Sequence, residues 1–352
     1  MDILRGIMAL AVATYHLSLH AELFAAGEWG NNAIAVCGLY SVQGFFIISG
    51  FCFFHLYGNT RFNAHELKIF HIKRFFRIAP LYYLAMTANL LLRQKTALFD
   101  VKQRLLENIT FTFGLVSPDR GLVSGGWSIG VEYVFYLALP LLILITRRKK
   151  FLYIGTALLV LLAYPWTFHF VPDASHFDHY KFKTYVSIAN HSFLFFVGGV
   201  LAHLRSLTSR RLQTGMVALG IAILAIVSEI SANRFSDHFD CVTGIERVRW
   251  IIVLVVLMAM SACYDVPDSI LRKPFVFFGQ ISYSVYLVHP FAEMIVLALF
   301  PISNPYSLLF AGLATTIALA TLTYYGIEKL FMTLGRKFGD GFATGKANAA
   351  TR

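Results

Sequence analysis

Charge is what this chain has least of. Asp, Glu, Lys and Arg make up 14% of its 352 residues, where a soluble domain carries about 25%. With 57% hydrophobic residues and a mean hydropathy of +0.63, that shortage excludes a water-solvated globular protein. Acids are scarcer than bases, 19 against 30, leaving a net charge of +11. On so apolar a chain the surplus reads as basic loops on one membrane face, and no nucleic-acid partner is expected. Cysteine is also sparse. Cys37, Cys52, Cys241 and Cys263 form no C-x-x-C pair, so neither a disulfide framework nor a zinc site is implied, and no metal is expected. There is no internal repeat, no low-complexity tract and no appended soluble domain.

What is abundant is apolar length. Ten runs, at about 5–25, 33–57, 76–93, 127–146, 151–168, 188–205, 213–231, 249–264, 275–300 and 306–332, suit membrane-crossing helices. Residues 6–15 resemble the core of a signal peptide, but Asp2 offsets Arg5, and His16, His20 and Glu22 follow, so the run reads as a retained span. The stretch 105–117 is short and contains Glu107, Asn108 and two threonines, which favours a re-entrant or surface-lying piece. With the N-terminus inside and 94–126 held on one side, 20 of the 30 Lys and Arg fall on the cytoplasmic face. Counting 105–117 as a span would put Arg147, Arg148, Lys149 and Lys150 outside. The expectation is an all-α integral membrane bundle of about ten transmembrane helices over residues 1–334, both termini cytoplasmic. Residues 335–352, rich in turn formers and charge, are expected to be a disordered tail.

The exceptional polar residues then carry the chemistry, because ionisable groups in hydrocarbon are costly and mark functional sites. Arg5 and His16 are eleven residues apart on the first span. Eleven helical steps return to the same face after a rise of about 16 Å. Such a pair suits a ligand with an anionic part at the surface and a reactive end deeper in; a topology anchor and a hydrogen-bonded core histidine are the structural alternatives. Arg74 and Arg77, in "HIKRFFRIAPLYYL", project about 4.5 Å apart along a helix, and arginine forks match phosphate oxygens. Pro80 fits the first turn of the following span. In "GGWSIGVEYVFYLALP", Trp127 reads as an interfacial residue at the outer end, and Glu132 lies about 7–8 Å below it, a candidate for acid–base work or a salt bridge. His289, followed by Pro290, lies deep in the ninth span. Gly44, Ser49 and Gly50 permit close helix approach. Glu328 is expected to pair with a base. His169, His176 and His179, with Asp173 and Asp178, read as a solvated loop. The clusters together suggest a group handed from a cytoplasmic donor to an acceptor on the far side. A transporter or flippase for an anionic solute or glycolipid is the alternative, but no obvious repeat or paired half-helices support it.

Six stretches, "LRGIMALAVATYHL", "QGFFIISGF", "RFFRIAPLYYL", "WSIGVEYVFYLALPLL", "ISYSVYLVHPF" and "YYGIEKLF", in this order, resemble the acyltransferase 3 family of integral membrane O-acyltransferases. The likeness runs from residue 4 to about 331. It implies a multi-pass protein of the bacterial cytoplasmic (inner) membrane that moves a small acyl group, usually acetyl, from an acyl-CoA co-substrate such as acetyl-CoA. No cofactor is held. The implied acceptor is a carbohydrate hydroxyl, as in lipopolysaccharide or exopolysaccharide. On this resemblance Arg5, Arg74 and Arg77 serve the donor, and His16 is either the general base or a transient acyl carrier. Glu132 orients or charges the histidine, or binds the sugar. Trp127 stacks on the sugar ring and His289 lines the path.

Overall fold

Helix α2 (Trp29–Tyr57) is apolar on every side, and a helix without a polar face belongs in the middle of a bundle. In the computed structural model it is the central element. It packs on α1 (Asp2–His20), α6 (Gly126–Thr146), α9 (Ile188–Leu207) and α10 (Gly244–Cys263). The closest approach is to α9. A Cβ on Gly50 would lie 2.1 Å from the Phe195 carbonyl oxygen, and one on Gly198 would lie 2.2 Å from that of Ile47. The structure describes residues 1–23, 29–92, 98–171, 179–207, 240–263, 272–299 and 304–349. All regular structure among these is helical.

Eight helical stretches among the described residues are long and apolar enough to cross a membrane: Asp2–His20, Asn32–Tyr57, Ala64–Leu92, Gly126–Thr146, Lys149–Phe170, Tyr180–Leu207, Ser282–Leu299 and Pro305–Gly339. They correspond to eight of the ten expected runs. The run 213–231 lies outside the described residues, as does the loop at 172–178 with Asp173, His176 and Asp178. The run 249–264 forms the larger part of α10, whose opening turns carry Glu246, Arg247 and Arg249, and it is not among the eight.

Three local features differ from expectation. Helix α3 (Ala64–Leu92) starts well before residue 76 and continues through Pro80. Its start is fixed by a capping box: the Asn63 side chain accepts from the amides of His65 and Glu66, and the Glu66 carboxylate accepts from the Asn63 amide. The run 275–300 is two helices, α11 (Arg272–Gln280) and α12 (Ser282–Leu299), broken at Ile281, with the Ser282 hydroxyl turned back onto the Gly279 carbonyl. The tail expected to be disordered begins as helix. After α13 (Pro305–Thr323) and a wide π-turn at Tyr324–Glu328, α14 runs from Lys329 to Ala349. Two phenylalanines explain its order, since Phe331 and Phe338 both stack on Phe76 of α3.

The stretch before α6 matters most for the site. Helix α4 (Leu98–Thr110) and the single turn α5 (Phe113–Val116) are too short to be spanning helices and lead the chain into α6. Phe111 and Phe113 are fully buried, and Gly114 lies directly on Gly130 of α6. Asn108, also fully buried, joins the parts. Its carbonyl oxygen accepts from the Tyr82 hydroxyl (2.5 Å) and the Leu122 amide (2.8 Å), while its amide group donates to the carbonyls of Arg104 and Arg120. Replacing Asn108 with Ala strands several of these groups at once, and each costs about 1–3 kcal/mol. Asn108→Ala is therefore expected to lower the thermal unfolding midpoint in detergent clearly, whereas Asn89→Ala, which removes a bond to the Leu122 carbonyl, is expected to lower it less.

Candidate active site

The first turn of α6 is packed within the bundle, with Gly126, Trp127 and Ser128 buried. Gly125, in the left-handed region at φ 72°, makes the turn, and the Tyr286 hydroxyl donates to its carbonyl (2.9 Å). One consequence falls on Trp127. Its ring is buried against Phe46, Tyr185 and His191, with centroids 5.2–6.1 Å away. It is thus a core residue and not an interfacial one at an outer helix end. A second consequence falls on Glu132. It does not stand apart on the far side from the basic residues; it shares a cavity with them.

That cavity, about 120 Å³, opens among α1, α2, α3, α6 and α12. Arg5, Arg74, Arg77, Glu132, Ser49, Ser128, Tyr136 and Tyr286 supply its polar lining. One oxygen of Glu132 accepts hydrogen bonds from both the Ser49 and the Tyr136 hydroxyls. The carboxylate is thereby aimed and its charge dispersed, as an ion in a low-dielectric site requires.

The arginines differ from one another. Arg77 donates to the Glu328 carboxylate, which is completely buried and also accepts from the Ser284 hydroxyl (2.8 Å). This is the base expected for Glu328, and it neutralises Arg77. Arg74 has aromatic rings around it instead. Its guanidinium carbon lies 4.5 Å from the centre of the Phe53 ring and 5.6 Å from those of Phe70 and Tyr136. Its buried Nε has no hydrogen-bond partner among the described residues. Cation–π contacts hold such a group without using its N–H donors. Arg5 is held loosely, 3.7 Å from Asp2 and 3.7 Å from the Cys52 sulfur. Arg5 and Arg74 therefore offer a cavity-facing positive field with donors to spare.

His16 lies one level further along the bundle. Its ring stacks on His289 at 5.2 Å and 23°, and His289 in turn sits 6.2 Å from the Tyr286 ring. Tyr286 thus touches both the arginine cavity and the histidine pair. The His289 Nδ1 lies 3.3 Å from the Val285 carbonyl, so that nitrogen carries the proton and Nε2 keeps its lone pair. The structure thus gathers Arg5, Arg74, Arg77 and Glu132 around one cavity and places His16 and His289 together just beyond it; Trp127 is in neither group. Ser49, Tyr136, Ser128 and Tyr286 are site residues that the sequence reading did not single out for chemistry. Two of them had a usable signal: Tyr136 follows Glu132 by four residues and Tyr286 precedes His289 by three, both same-face helical spacings. No such spacing relates Ser49 to Glu132, which lie on different helices.

Comparison with known proteins follows from this geometry. A family described as an acyltransferase domain matches residues 1–325. The chain belongs to this acyltransferase 3 family: it is an acyltransferase built on a multi-pass bundle of apolar helices. It is also similar to a protein of the Acidianus two-tailed virus named "Putative acetyltransferase ORF330", with 24% identity over 300 residues, 82% of each chain. No solved structure matches it.

Breaking a fully buried ion pair costs about 3–5 kcal/mol. Arg77 is 28% exposed towards the cavity, so Glu328→Gln is expected to cost less than that, but still to lower the unfolding midpoint measurably. Arg77→Gln, which leaves the completely buried carboxylate alone, is expected to lower it more.

Proposed function

We propose that this acyltransferase moves a small acyl group, most simply acetyl, from cytoplasmic acyl-CoA to a hydroxyl of a cell-surface or exported carbohydrate. The observation that carries the reading is Arg74: a half-buried arginine with a buried, unpartnered Nε, caged by aromatic rings, in one cavity with Arg5. A multiply charged phosphate ligand satisfies both cations, and coenzyme A has such phosphates at one end and its thioester at the other. In this reading the protein is a multi-pass protein of the bacterial inner membrane. It has ten spans, counting 213–231 and α10, and both termini are cytoplasmic, so that Arg5 and Arg74 face the donor's compartment.

The phosphates sit against Arg5 and Arg74, while Arg77, paired with Glu328, frames the cavity beside them. The pantetheine arm, long and thin, follows the bundle past Tyr286. His16, about 16 Å further along α1 than Arg5, is then within reach of the thioester. His16 takes the acceptor hydroxyl proton as the oxygen attacks the thioester carbonyl carbon. The C–S bond breaks as the intermediate collapses, and the departing thiolate takes the proton from the imidazolium and leaves as free coenzyme A. Every proton is returned within the cycle, so the reaction needs no other co-reactant. Glu132, fixed by Ser49 and Tyr136, supplies a negative charge in the arginine cavity, on the donor side of His16. Trp127, behind the cavity wall, shapes the path through Phe46.

Thiol release from acetyl-CoA by the purified protein in nanodiscs, with cell-surface glycan extract from the host, tests the reading. His16→Ala is expected to lower glycan-dependent release by about 10²–10⁴-fold, the usual worth of a general base. Equal release by His16→Ala and wild type would remove His16 from the chemistry. Arg74→Lys keeps the charge but loses the planar fork; hydrogen bonds to charged groups contribute about 1.5–3 kcal/mol. It is expected to raise the half-saturating acetyl-CoA concentration about tenfold or more, with little change for the glycan.

A further inference from the structure

On the side of His16 away from the arginine cavity lies a second polar level that the mechanism so far leaves unused. His20 follows His16 by four residues on α1, and Glu293 follows His289 by four on α12. Residues four apart share a helix face about one turn apart. The two helices therefore meet in two polar steps: His16 on His289 with ring centres at 5.2 Å, then His20 on Glu293, with Nδ1 and Oε1 2.8 Å apart. We infer that His20 and Glu293 form the acceptor subsite, a place for the hydroxyls of the carbohydrate next to the base that activates one of them. This inference rests on the acyl-transfer reading and assigns its second substrate.

Three observations carry it. The pair opens outwards: the His20 side chain is 62% exposed, the Glu293 side chain 8%. A half-open ion pair contributes only about 0–1 kcal/mol to stability, and a carboxylate inside an apolar helix is costly. Stability alone therefore gives no reason for Glu293 to stand in α12. The donor pattern also suits hydroxyls. The proton on His20 Nδ1 is directed to the His16 carbonyl at 3.1 Å, and the buried Glu293 Oε1, although 2.8 Å from that nitrogen, has no hydrogen bond among the described residues. The carboxylate oxygens are thus left to accept from hydroxyls. Vicinal hydroxyls of a sugar are donors that such acceptors hold well. Finally, the charge sorts the two substrates. The arginine cavity attracts phosphates, and the Glu293 carboxylate repels them, so the donor's anionic end is kept to one side of His16 and a neutral polyol is favoured on the other.

The test is steady-state kinetics in nanodiscs with acetyl-CoA and the host glycan extract, varying each substrate in turn. Glu293→Gln and His20→Ala are each expected to raise the half-saturating glycan concentration by about tenfold or more, while that for acetyl-CoA stays within about twofold. Glu293→Asp, which keeps the charge, is expected to recover part of the loss. His20→Ala changes an exposed side chain and keeps the question answerable should Glu293→Gln fail to fold. If neither variant moves the glycan constant, or if both constants move together, the subsite assignment is wrong and the pair only holds α1 to α12. If the wild type releases no thiol with the extract, the acyl-transfer reading itself falls, and the acceptor subsite with it.

Discussion

Glu132 meets the arginines on α6, and the segment that leads into α6 is fastened to α3 by Asn108. The backbone of a non-helical stretch is tolerated at depth only where its polar groups are satisfied internally. One fully buried amide side chain supplies two of those bonds, to the Leu122 amide and the Arg120 carbonyl, and ties them to Tyr82 of α3. Those bonds hold the segment that leads into α6 against α3, the helix that carries Arg74 and Arg77. The frame of the cavity is thus tied to one asparagine outside its lining.

Within the cavity, charge is managed in three ways, and each suits a different task. Arg77 is matched with Glu328 and becomes part of the frame. Arg74 is held by ring faces that stabilise its charge and leave its donors free. Glu132 has its charge spread over two hydroxyls. Among the described residues, the ring contacts of the histidine level beyond Tyr286 involve no lysine or arginine. A gradient results along α1 and α12, from strongly basic at Arg5 to acidic at Glu293. Such a field can align a substrate that is anionic at one end and receive a neutral one at the other.

The alternation of apolar runs with basic loops was legible because burial in hydrocarbon leaves so few alternatives, and eight of the ten expected runs are helices of spanning length. The candidate site residues Arg5, His16, Arg74, Arg77 and Glu132 were legible for the same reason: a charge in an apolar run stands out. The errors came where a local rule met a tertiary one. Pro80 ordinarily starts a helix, yet the Asn63–Glu66 capping box had already started it. A tail of turn formers reads as disordered, yet Phe331 and Phe338 find Phe76. Trp127 reads as interfacial from its place at a helix start, and only the packing of Phe46, Tyr185 and His191 around it makes it a core residue.

By itself, the sequence determined that this is a helical membrane protein, which residues are too polar for their surroundings, and which of them share a helix face, since periodicity along one helix is a local property. The family follows from motifs of the same local kind. Tertiary structure alone decided which helices face each other: that Glu132 opposes Ser49, that Arg77 is spent on Glu328 while Arg74 is not, and that His16 and His20 meet His289 and Glu293. Those pairings depend on the rotation and depth of each helix, which are set by packing at Gly50 and Gly198 and by Asn108. No helical period encodes a contact between residues hundreds of positions apart.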